Sequence, residues 1–218
     1  ALRSSVEASS TGVLDFAEMR VLSLPAQVLG AGSDECVPWL TLPGLFAAGC
    51  LDVMTKLLLE SIPASDLQEG AKTLDFCCGS GVIAKALLLR QPSLRMHLVD
   101  ADAIALEAAR QNVPEGECIL SDCWARCNSS AVFDLIVTNP PVHSGLQSDF
   151  TVLCTLLDGL TGHLSRNGIM WLVLQAYIPM ASLLHTRGLL CTSKQVLADG
   201  RFAVWRICLP RKSLKRKR

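Results

Sequence analysis

Apolar residues along the chain recur with two alternating spacings. Short apolar runs that fit β-strands are followed by segments with helical spacing, and Gly, Pro or Asn separate the two. The predicted strands cover residues 39–42, 73–77, 95–99, 117–120, 133–138 and 169–174, and the predicted helices cover 51–62, 82–90, 103–112 and 146–163. This alternation indicates an α/β fold in which helices lie on both faces of a doubly wound, mostly parallel sheet.

The C-terminal part of the chain follows a different pattern. Residues 192–198 and 202–209 flank Asp199-Gly200, a dipeptide that favours a two-residue β-hairpin turn. An antiparallel C-terminal hairpin would therefore complete a seven-stranded sheet. Residues 1–35 show no clear periodicity, so we predict an N-terminal arm or the remnant of a preceding domain there. One main domain is predicted over 36–210 and a tail over 211–218.

The composition is that of a folded domain. Of 218 residues, 50% are hydrophobic and 18% are charged, which favours a packed core over disorder. The most apolar stretch, 169–181, is interrupted by Gln175 and Pro179 and is shorter than the ~18 apolar residues of a membrane helix. We therefore expect no membrane partner, and no signal peptide opens the chain. Because the chain begins with Ala1 rather than Met, the sequence leaves open whether an upstream segment is missing.

The ten cysteines do not form a framework for disulfides or metal. Cys77 and Cys78 are adjacent, and no Cys-x-x-Cys pair occurs. Cys118, Cys123 and Cys127 have a loose spacing without a second cluster, so we expect no zinc site and no other metal. The pattern favours small, buried thiols in a reducing compartment.

The formal net charge is zero, but the charges are unevenly distributed. Six of the last eight residues are basic: Arg211, Lys212, Lys215, Arg216, Lys217 and Arg218. Without them, 14 basic residues stand against 20 acidic ones, and the body has a formal charge of −6. Such a tail is typical of phosphate contact or nuclear targeting, and a solvated end without a specific role is the alternative. We expect a cytoplasmic protein, or a nuclear or nucleolar one if the tail is a targeting signal.

Residues 75–81, Asp-Phe-Cys-Cys-Gly-Ser-Gly, join a predicted strand to a helix. Gly79 and Gly81 allow a sharp turn and let backbone N–H groups approach a ligand at the start of that helix. Asp75 is unfavourable beside a diphosphate but suits an ammonium group, such as that in the methionine part of S-adenosylmethionine. Asp75, Cys77, Gly79 and Gly81 are therefore candidate cofactor-binding residues, although turn glycines alone are common.

Acidic residues after the next two strands support this interpretation. Asp100 ends the second strand, where its carboxylate can accept the hydrogens of both ribose hydroxyls, and Ala101 follows in the same loop. Asp102 is a better candidate for capping the helix at 103. Asp122 would lie near the adenine and accept from its amino group, with an ordinary loop aspartate as an equal alternative.

Asn139-Pro140-Pro141 directly follows an apolar strand, and the two prolines fix the backbone and prevent further sheet pairing. An amine on an aromatic ring is a poor nucleophile because its lone pair is delocalised. The Asn139 side-chain oxygen and the Pro140 carbonyl can each accept one amino hydrogen, which turns the lone pair towards the sulfonium methyl. His143 is a candidate proton acceptor or a surface residue. A rigid turn without chemistry is the structural alternative.

Five segments in this order carry a resemblance to a known family. They are Leu42-Pro43-Gly44-Leu45-Phe46, Leu51-Asp52, the turn 75–81, residues 139–145 and Gly200-Arg201-Phe202. Over roughly residues 38–209 the chain resembles the bacterial small-subunit ribosomal RNA guanine-N2 methyltransferases and their large-subunit relatives, which have the class I S-adenosylmethionine-dependent methyltransferase fold.

The resemblance implies guanine N2 methylation in ribosomal RNA. It makes Asn139 and Pro140 the acceptors for the amine, and Asp75 and Asp100 cofactor ligands. It also implies a second, degenerate methyltransferase-like domain in front that assists RNA binding, for which this chain has no room. A partner protein or a missing N-terminal domain is then expected to supply affinity for RNA.

Two positions depart from the family pattern. Val142 stands where an aromatic residue usually stacks on the target base, a contact worth ~1–3 kcal/mol, so Phe46, Trp124 or Phe150 would have to replace it. Cys77 stands where glycine is common, which restricts the backbone. The alternatives are a protein glutamine methyltransferase, whose loop also begins Asn-Pro-Pro, and a non-catalytic cofactor-binding scaffold of a ribonucleoprotein.

The basic tail yields a prediction. Deleting residues 211–218 should weaken binding to RNA and flatten its dependence on salt, because each basic side chain that contacts a phosphate releases counterions. Filter binding at several salt concentrations measures both effects. Unchanged affinity with an unchanged salt slope would exclude the tail from RNA binding.

Overall fold

A computed structural model of the chain describes residues 12–144, 148–196 and 200–210. The strands are β1 Glu18–Leu24, β2 Glu35–Thr41, β3 Lys72–Phe76, β4 Arg95–Asp100, β5 Glu117–Leu120, β6 Phe133–Thr138, β7 His143–Ser144, β8 Ser148–Asp149, β9 Leu164–Gln175, β10 Leu190–Val196 and β11 Phe202–Cys208. The helices are α1 Ala26–Leu29, α2 Val53–Ser61, α3 Val82–Arg90, α4 Ala103–Asn112, α5 Thr151–His163 and α6 Met180–Thr186. None of the helices in these three ranges has the length and apolar character needed to cross a bilayer.

Seven strands form the central sheet, in the order β10-β11-β9-β6-β3-β4-β5. The five strands from β9 to β5 are parallel to one another, and β11 runs antiparallel to both of its neighbours. The predicted α/β fold with its C-terminal hairpin is thus confirmed. From β3 the chain first builds outward through β4 and β5 and then returns to place β6 on the other side of β3. In open sheets of this kind, the crevice at this reversal is where ligands bind.

Apolar side chains project from both faces of the sheet, and most residues of β3 and β6 are buried. Leu135 and Val137 of β6 pack into the cluster formed with α2, α3 and α4, whereas Ile136 packs into the cluster formed with α5 and α6. The two-residue alternation within one strand therefore produces two cores. Asp75 points into the α2–α4 side, next to α3.

The segment before residue 35 contains elements that the sequence did not predict. β1 pairs antiparallel with β2, and α1 lies between them. Only Leu22 and Leu24 of β1 are buried, while Met19 and Val21 are exposed. Because apolar residues lie on both faces of β1, the sequence lacks the alternation that predicts a half-buried strand. The predicted short strand at 39–42 is the end of the longer β2. The predicted division into 1–35 and 36–210 stays a prediction.

Three further boundaries differ from expectation. α5 begins at Thr151 rather than at residue 146, after the short antiparallel pair of β7 and β8. The expected turn at 167–168 lies inside β9, where the pairing with β6 shifts and the strand accommodates extra residues. α6 was not predicted because only seven residues follow Pro179 before the helix ends. Asp199, in the predicted hairpin turn, lies outside the described residues.

All ten cysteines are free in the structure. The expectation that they are buried was wrong for most of them, because only Cys78 is buried and Cys36, Cys50 and Cys191 are exposed. In the described part of the chain, no three His, Cys, Asp or Glu side chains are grouped to hold a metal ion.

A buried ionic contact joins the edge of the domain to the sheet. The Asp66 carboxylate accepts from Trp171 Nε1 of β9 at 2.9 Å and from Arg206 Nε of β11 at 2.8 Å. Its side chain is only 9% exposed. The carboxylate therefore satisfies two donors that would otherwise be left without a partner in a largely dry environment.

We predict that Asp66→Ala lowers the free energy of unfolding by about 2–3 kcal/mol, because it removes the carboxylate partner of a partly buried guanidinium and leaves an indole N–H without its acceptor. Urea denaturation measures the change. Asp158→Ala is the matched control, since Asp158 pairs with Arg187 at 2.7 Å but is 63% exposed. The Asp158→Ala substitution should lower the free energy of unfolding by less than about 1 kcal/mol. Equal losses in the two variants would contradict the prediction.

Candidate active site

The predicted site residues meet at the carboxyl ends of β3, β4, β5 and β6. Gly79 N donates to Asp100 Oδ2 at 2.8 Å, which ties the turn after β3 to the end of β4. Ser121 N donates to Asp100 O at 2.9 Å, which brings the loop after β5 to the same point. On the other side of β3, Thr138 Oγ1 at the end of β6 donates to the Phe76 carbonyl at 2.6 Å. Asn139, the next residue, therefore lies beside the turn that follows β3.

The turn after β3 has an unusual backbone. Gly79 and Gly81 have φ angles of 54° and 91°, in the left-handed region that favours glycine. A Cβ at Gly81 would lie 2.8 Å from Val113 Cγ2, so this position has no room for a side chain, whereas Gly79 faces open space. Cys77 also has a φ of 59°, and a residue with a side chain pays roughly 1–2 kcal/mol there. The departure from glycine at Cys77 is thus strained but tolerated.

Asp75 lies under this turn and is completely buried. Its Oδ2 accepts from Ala84 N in the first turn of α3 at 3.0 Å, and its Oδ1 has no hydrogen-bond partner among the described residues. Burial raises the pKa of Asp75 to about 8; the hydrogen bond from Ala84 lowers this pKa and the charge of Asp100 raises it. The unpaired oxygen makes the carboxyl group a potential acceptor for a further donor.

Asp100 has both oxygens engaged by the backbone. Oδ2 accepts from Gly79 N, and Oδ1 accepts from Asp102 N at 2.9 Å. A carboxylate has about four acceptor positions, so one remains on each oxygen. Asp102 caps α4 by accepting from Ile104 N at 2.8 Å, as predicted. Ala101 is exposed in the same loop, and Asp122 is exposed after β5.

Among the described residues, the side-chain amide of Asn139 is anchored through its nitrogen. Nδ2 donates to Asp52 Oδ2 at 3.2 Å and to Thr55 Oγ1 at 3.0 Å, both at the start of α2. Oδ1 takes part in neither contact. Pro140 is buried and Pro141 is exposed. The backbone of His143 pairs with that of Asp149 in β7 and β8, and the His143 side chain lies outside the described residues.

Comparison with known proteins places the chain in a family. Residues 37–206 match the family model described as "methyltransferase small domain". The chain belongs to this family. It is 37% identical over 186 residues to the ribosomal RNA small subunit methyltransferase C of Serratia proteamaculans, covering 81% of this chain and 51% of that protein. The corresponding protein of Salmonella typhi is 35% identical over 181 residues, covering 80% and 50%.

Solved structures show the same fold. A 16S rRNA N2 methyltransferase of T. thermophilus, in complex with AdoMet and guanosine, superposes with a TM-score of 0.70 at 23% identity. The superposition covers 88% of this chain and 51% of that one. The chain therefore spans about half the length of the curated and structural relatives that it matches.

The residues of this methyltransferase small domain suit S-adenosylmethionine. The unpaired Asp75 oxygen is an acceptor suited to an ammonium group, and Asp100 retains acceptor positions for ribose hydroxyls. Gly79 leaves space above the turn at the start of α3. The assignment of Asp75, Cys77, Gly79, Gly81, Asp100, Ala101 and Asp122 to the cofactor stays a prediction that this arrangement supports.

The three aromatic residues suggested as replacements for an aromatic at 142 differ in availability. The Trp124 ring is packed within the protein. It stacks on His163 with ring centroids 4.3 Å apart and donates from Nε1 to Thr155 O. Phe150 is partly buried and packs against the same cluster. Phe46 is 69% exposed. Of the three, Phe46 is the one whose ring is free to contact a ligand.

The sequence did not predict the side chains whose hydrogen bonds support the glycine turn and Asn139. Asn112 Oδ1 accepts from Leu40 N at 2.8 Å, and Nδ2 donates to Leu40 O and to Ser80 O. It thereby ties β2 to the glycine turn. Asp52 and Thr55 hold Asn139 in a similar way. Asp52 belonged to a segment that carried the family resemblance, but no local pattern indicated its contact with Asn139.

We predict a pH-dependent stability difference between Asp75→Asn and the wild type. Because the folded-state pKa of Asp75 is raised to about 8, the folded protein binds a proton that the unfolded chain has already lost between about pH 4 and pH 8. The wild type therefore loses stability relative to the uncharged Asn variant as the pH rises through this window.

Urea denaturation of the cofactor-free proteins between pH 5 and pH 8 measures the difference. It should grow with pH, by up to about 1.4 kcal/mol per pH unit. A difference that stays constant over this range would show that Asp75 has an ordinary pKa.

Proposed function

We propose that the chain transfers a methyl group from S-adenosylmethionine to the exocyclic N2 amine of a guanine in ribosomal RNA. The observation that carries the proposal is the Asn139 amide, which donates to Asp52 and Thr55 and so leaves its oxygen available as an acceptor. Family membership supports a methyltransferase, and the names of the relatives support ribosomal RNA as the substrate class.

Asn139 and Pro140 orient the amine in the proposed reaction. The Asn139 Oδ1 and the Pro140 carbonyl each accept one hydrogen of the amine, which aims the nitrogen lone pair at the methyl group. When bound, S-adenosylmethionine supplies that electrophilic methyl group. Positive charge develops on the nitrogen in the transition state, and the two oxygens stabilise it without reorganisation. Pro141 stiffens the loop, and His143 is a candidate to receive the proton released afterwards.

Two other functions remain less well supported. A protein glutamine methyltransferase would use the same Asn-Pro-Pro loop on an amide nitrogen, but its loop usually continues with tyrosine, where this chain has Val142. A non-catalytic scaffold has no need for an asparagine held by two hydrogen bonds. Nucleoside analysis of the methylated product separates the first from the RNA enzyme, and the absence of any transfer identifies the second.

RNA is the proposed partner, although the body of the chain is acidic. Affinity for phosphate must then come from the basic tail, from a partner protein or from a domain that corresponds to the unmatched half of the relatives. Cytoplasmic localisation stays a prediction. The nuclear or nucleolar alternative rests on the tail alone, which lies outside the described residues.

We predict that Asn139→Ala lowers turnover on the order of a hundredfold or more, because one preorganised acceptor is lost. Tritium transfer from labelled cofactor to unmodified ribosomal RNA measures the rate, and nucleoside analysis identifies the methylated base. Calorimetry should show that the variant still binds S-adenosylmethionine. Full activity in this variant would contradict the amine-positioning mechanism, and a product other than N2-methylguanosine would contradict the substrate.

A further inference from the structure

The two ends of an asparagine amide have opposite hydrogen-bonding properties, so catalysis by Asn139 depends on which end faces the substrate. Its oxygen can only accept and its nitrogen can only donate. With the nitrogen turned towards a substrate amine, two donors would oppose each other. Something must therefore select one of the two orientations of the amide before the amine arrives.

The start of α2 makes this selection chemically. Asp52 Oδ2 lies 3.2 Å from Asn139 Nδ2, and an ionised carboxylate can only accept. A rotated amide would place its oxygen against this carboxylate and lose the bond, which makes the rotated orientation unfavourable. Thr55 Oγ1, 3.0 Å from the same nitrogen, receives the second amide hydrogen.

Both groups that contact the Asn139 nitrogen are held in place at the start of α2. Asp52 caps the helix, because Oδ2 also accepts from Met54 N and from Thr55 N at 3.0 Å each. Thr55 is 5% exposed, and Leu58 on the same helix is completely buried in the core. The helix therefore fixes the position of the two acceptors relative to Asn139, which directly follows β6.

We propose that Asp52 and Thr55 are positioning residues that lock the Asn139 amide with its oxygen free to accept from the substrate amine. The inference rests on the proposed function. Neither residue is required to touch the substrate, since each acts through the asparagine. The helix cap and the catalytic loop thus share one carboxylate oxygen, Asp52 Oδ2.

The kinetic test uses Asp52→Ser and Thr55→Val. Serine retains the ability to cap α2 but is too short to replace the carboxylate at Asn139, and valine keeps the shape of threonine without its hydroxyl. We expect kcat to fall about a hundredfold for Asp52→Ser and at least about tenfold for Thr55→Val, as for a misplaced catalytic group. The KM for S-adenosylmethionine should stay unchanged, and Thr55→Ser should restore turnover.

Thr41→Val is the matched control for Thr55→Val. Thr41 is buried to a similar extent, at 3% exposure, but its hydroxyl has no hydrogen-bond partner among the described residues. The Thr41→Val substitution should leave kcat unchanged. In an Asn139→Ala background, Asp52→Ser and Thr55→Val should cause little further loss, because the amide on which they act is gone. Losses of the same size in both backgrounds would show a merely structural role and overturn the inference.

A second measurement does not depend on activity. The side-chain NH2 resonances of Asn139 in a ¹⁵N-labelled sample are assigned by their disappearance in Asn139→Ala. We expect Asp52→Ser and Thr55→Val to shift these resonances and to speed their exchange with water, whereas Thr41→Val should not. Unchanged resonances in the first two variants would overturn the inference.

The two measurements separate failure of the inference from failure of the proposed function. If the wild type transfers no methyl group to ribosomal RNA, the proposed function fails, and the amide resonances alone decide whether Asp52 and Thr55 orient Asn139. If transfer occurs but the variants keep full turnover and unchanged resonances, the proposed function stands and the positioning role falls.

Discussion

The parallel pairing of β3 with β6 is the contact on which the candidate site depends. These strands are separated by two strand–helix units in the chain, yet their pairing places the glycine turn beside Asn139. The bond from Thr138 Oγ1 to the Phe76 carbonyl closes this junction at its carboxyl end. Because both strands are buried on both faces, the junction is fixed by the two cores rather than by the loops. The glycine turn after β3, where we predict that the cofactor binds, and Asn139 after β6 therefore lie side by side.

Sequence reasoning located the segments that lie together at the ends of the central strands. Gly79, Gly81 and Asp100 lie where a turn or a strand terminus demands them, and their backbone and hydrogen bonds agree with that interpretation. The mostly parallel sheet followed from the alternation of apolar spacing, since parallel strands need helical crossovers. Val142 and Cys77 were recognised as departures, and the structure gives Cys77 a left-handed backbone.

The same reasoning failed where the information is long-range. The contact between Asp52 and Asn139 joins residues 87 positions apart, and that between Leu40 and Asn112 joins residues 72 apart. No local periodicity can indicate such pairs. β1 was missed for a related reason: its exposed face is as apolar as its buried face, so its burial depends on which neighbours the fold provides. The raised pKa of Asp75 likewise follows from its burial, which a sequence pattern does not reveal.

Asn112 links the β1–β2 hairpin to the glycine turn, with consequences for protein engineering. The family match begins at residue 37, which invites an expression boundary nearby. Such a cut would strip β2 of its partner strand and leave Leu40, one of the residues that Asn112 holds, on a frayed end. The turn at Ser80, held by the same amide, would lose part of its support. An expression boundary that keeps this support therefore lies ahead of Glu18, upstream of the boundary that the family match suggests.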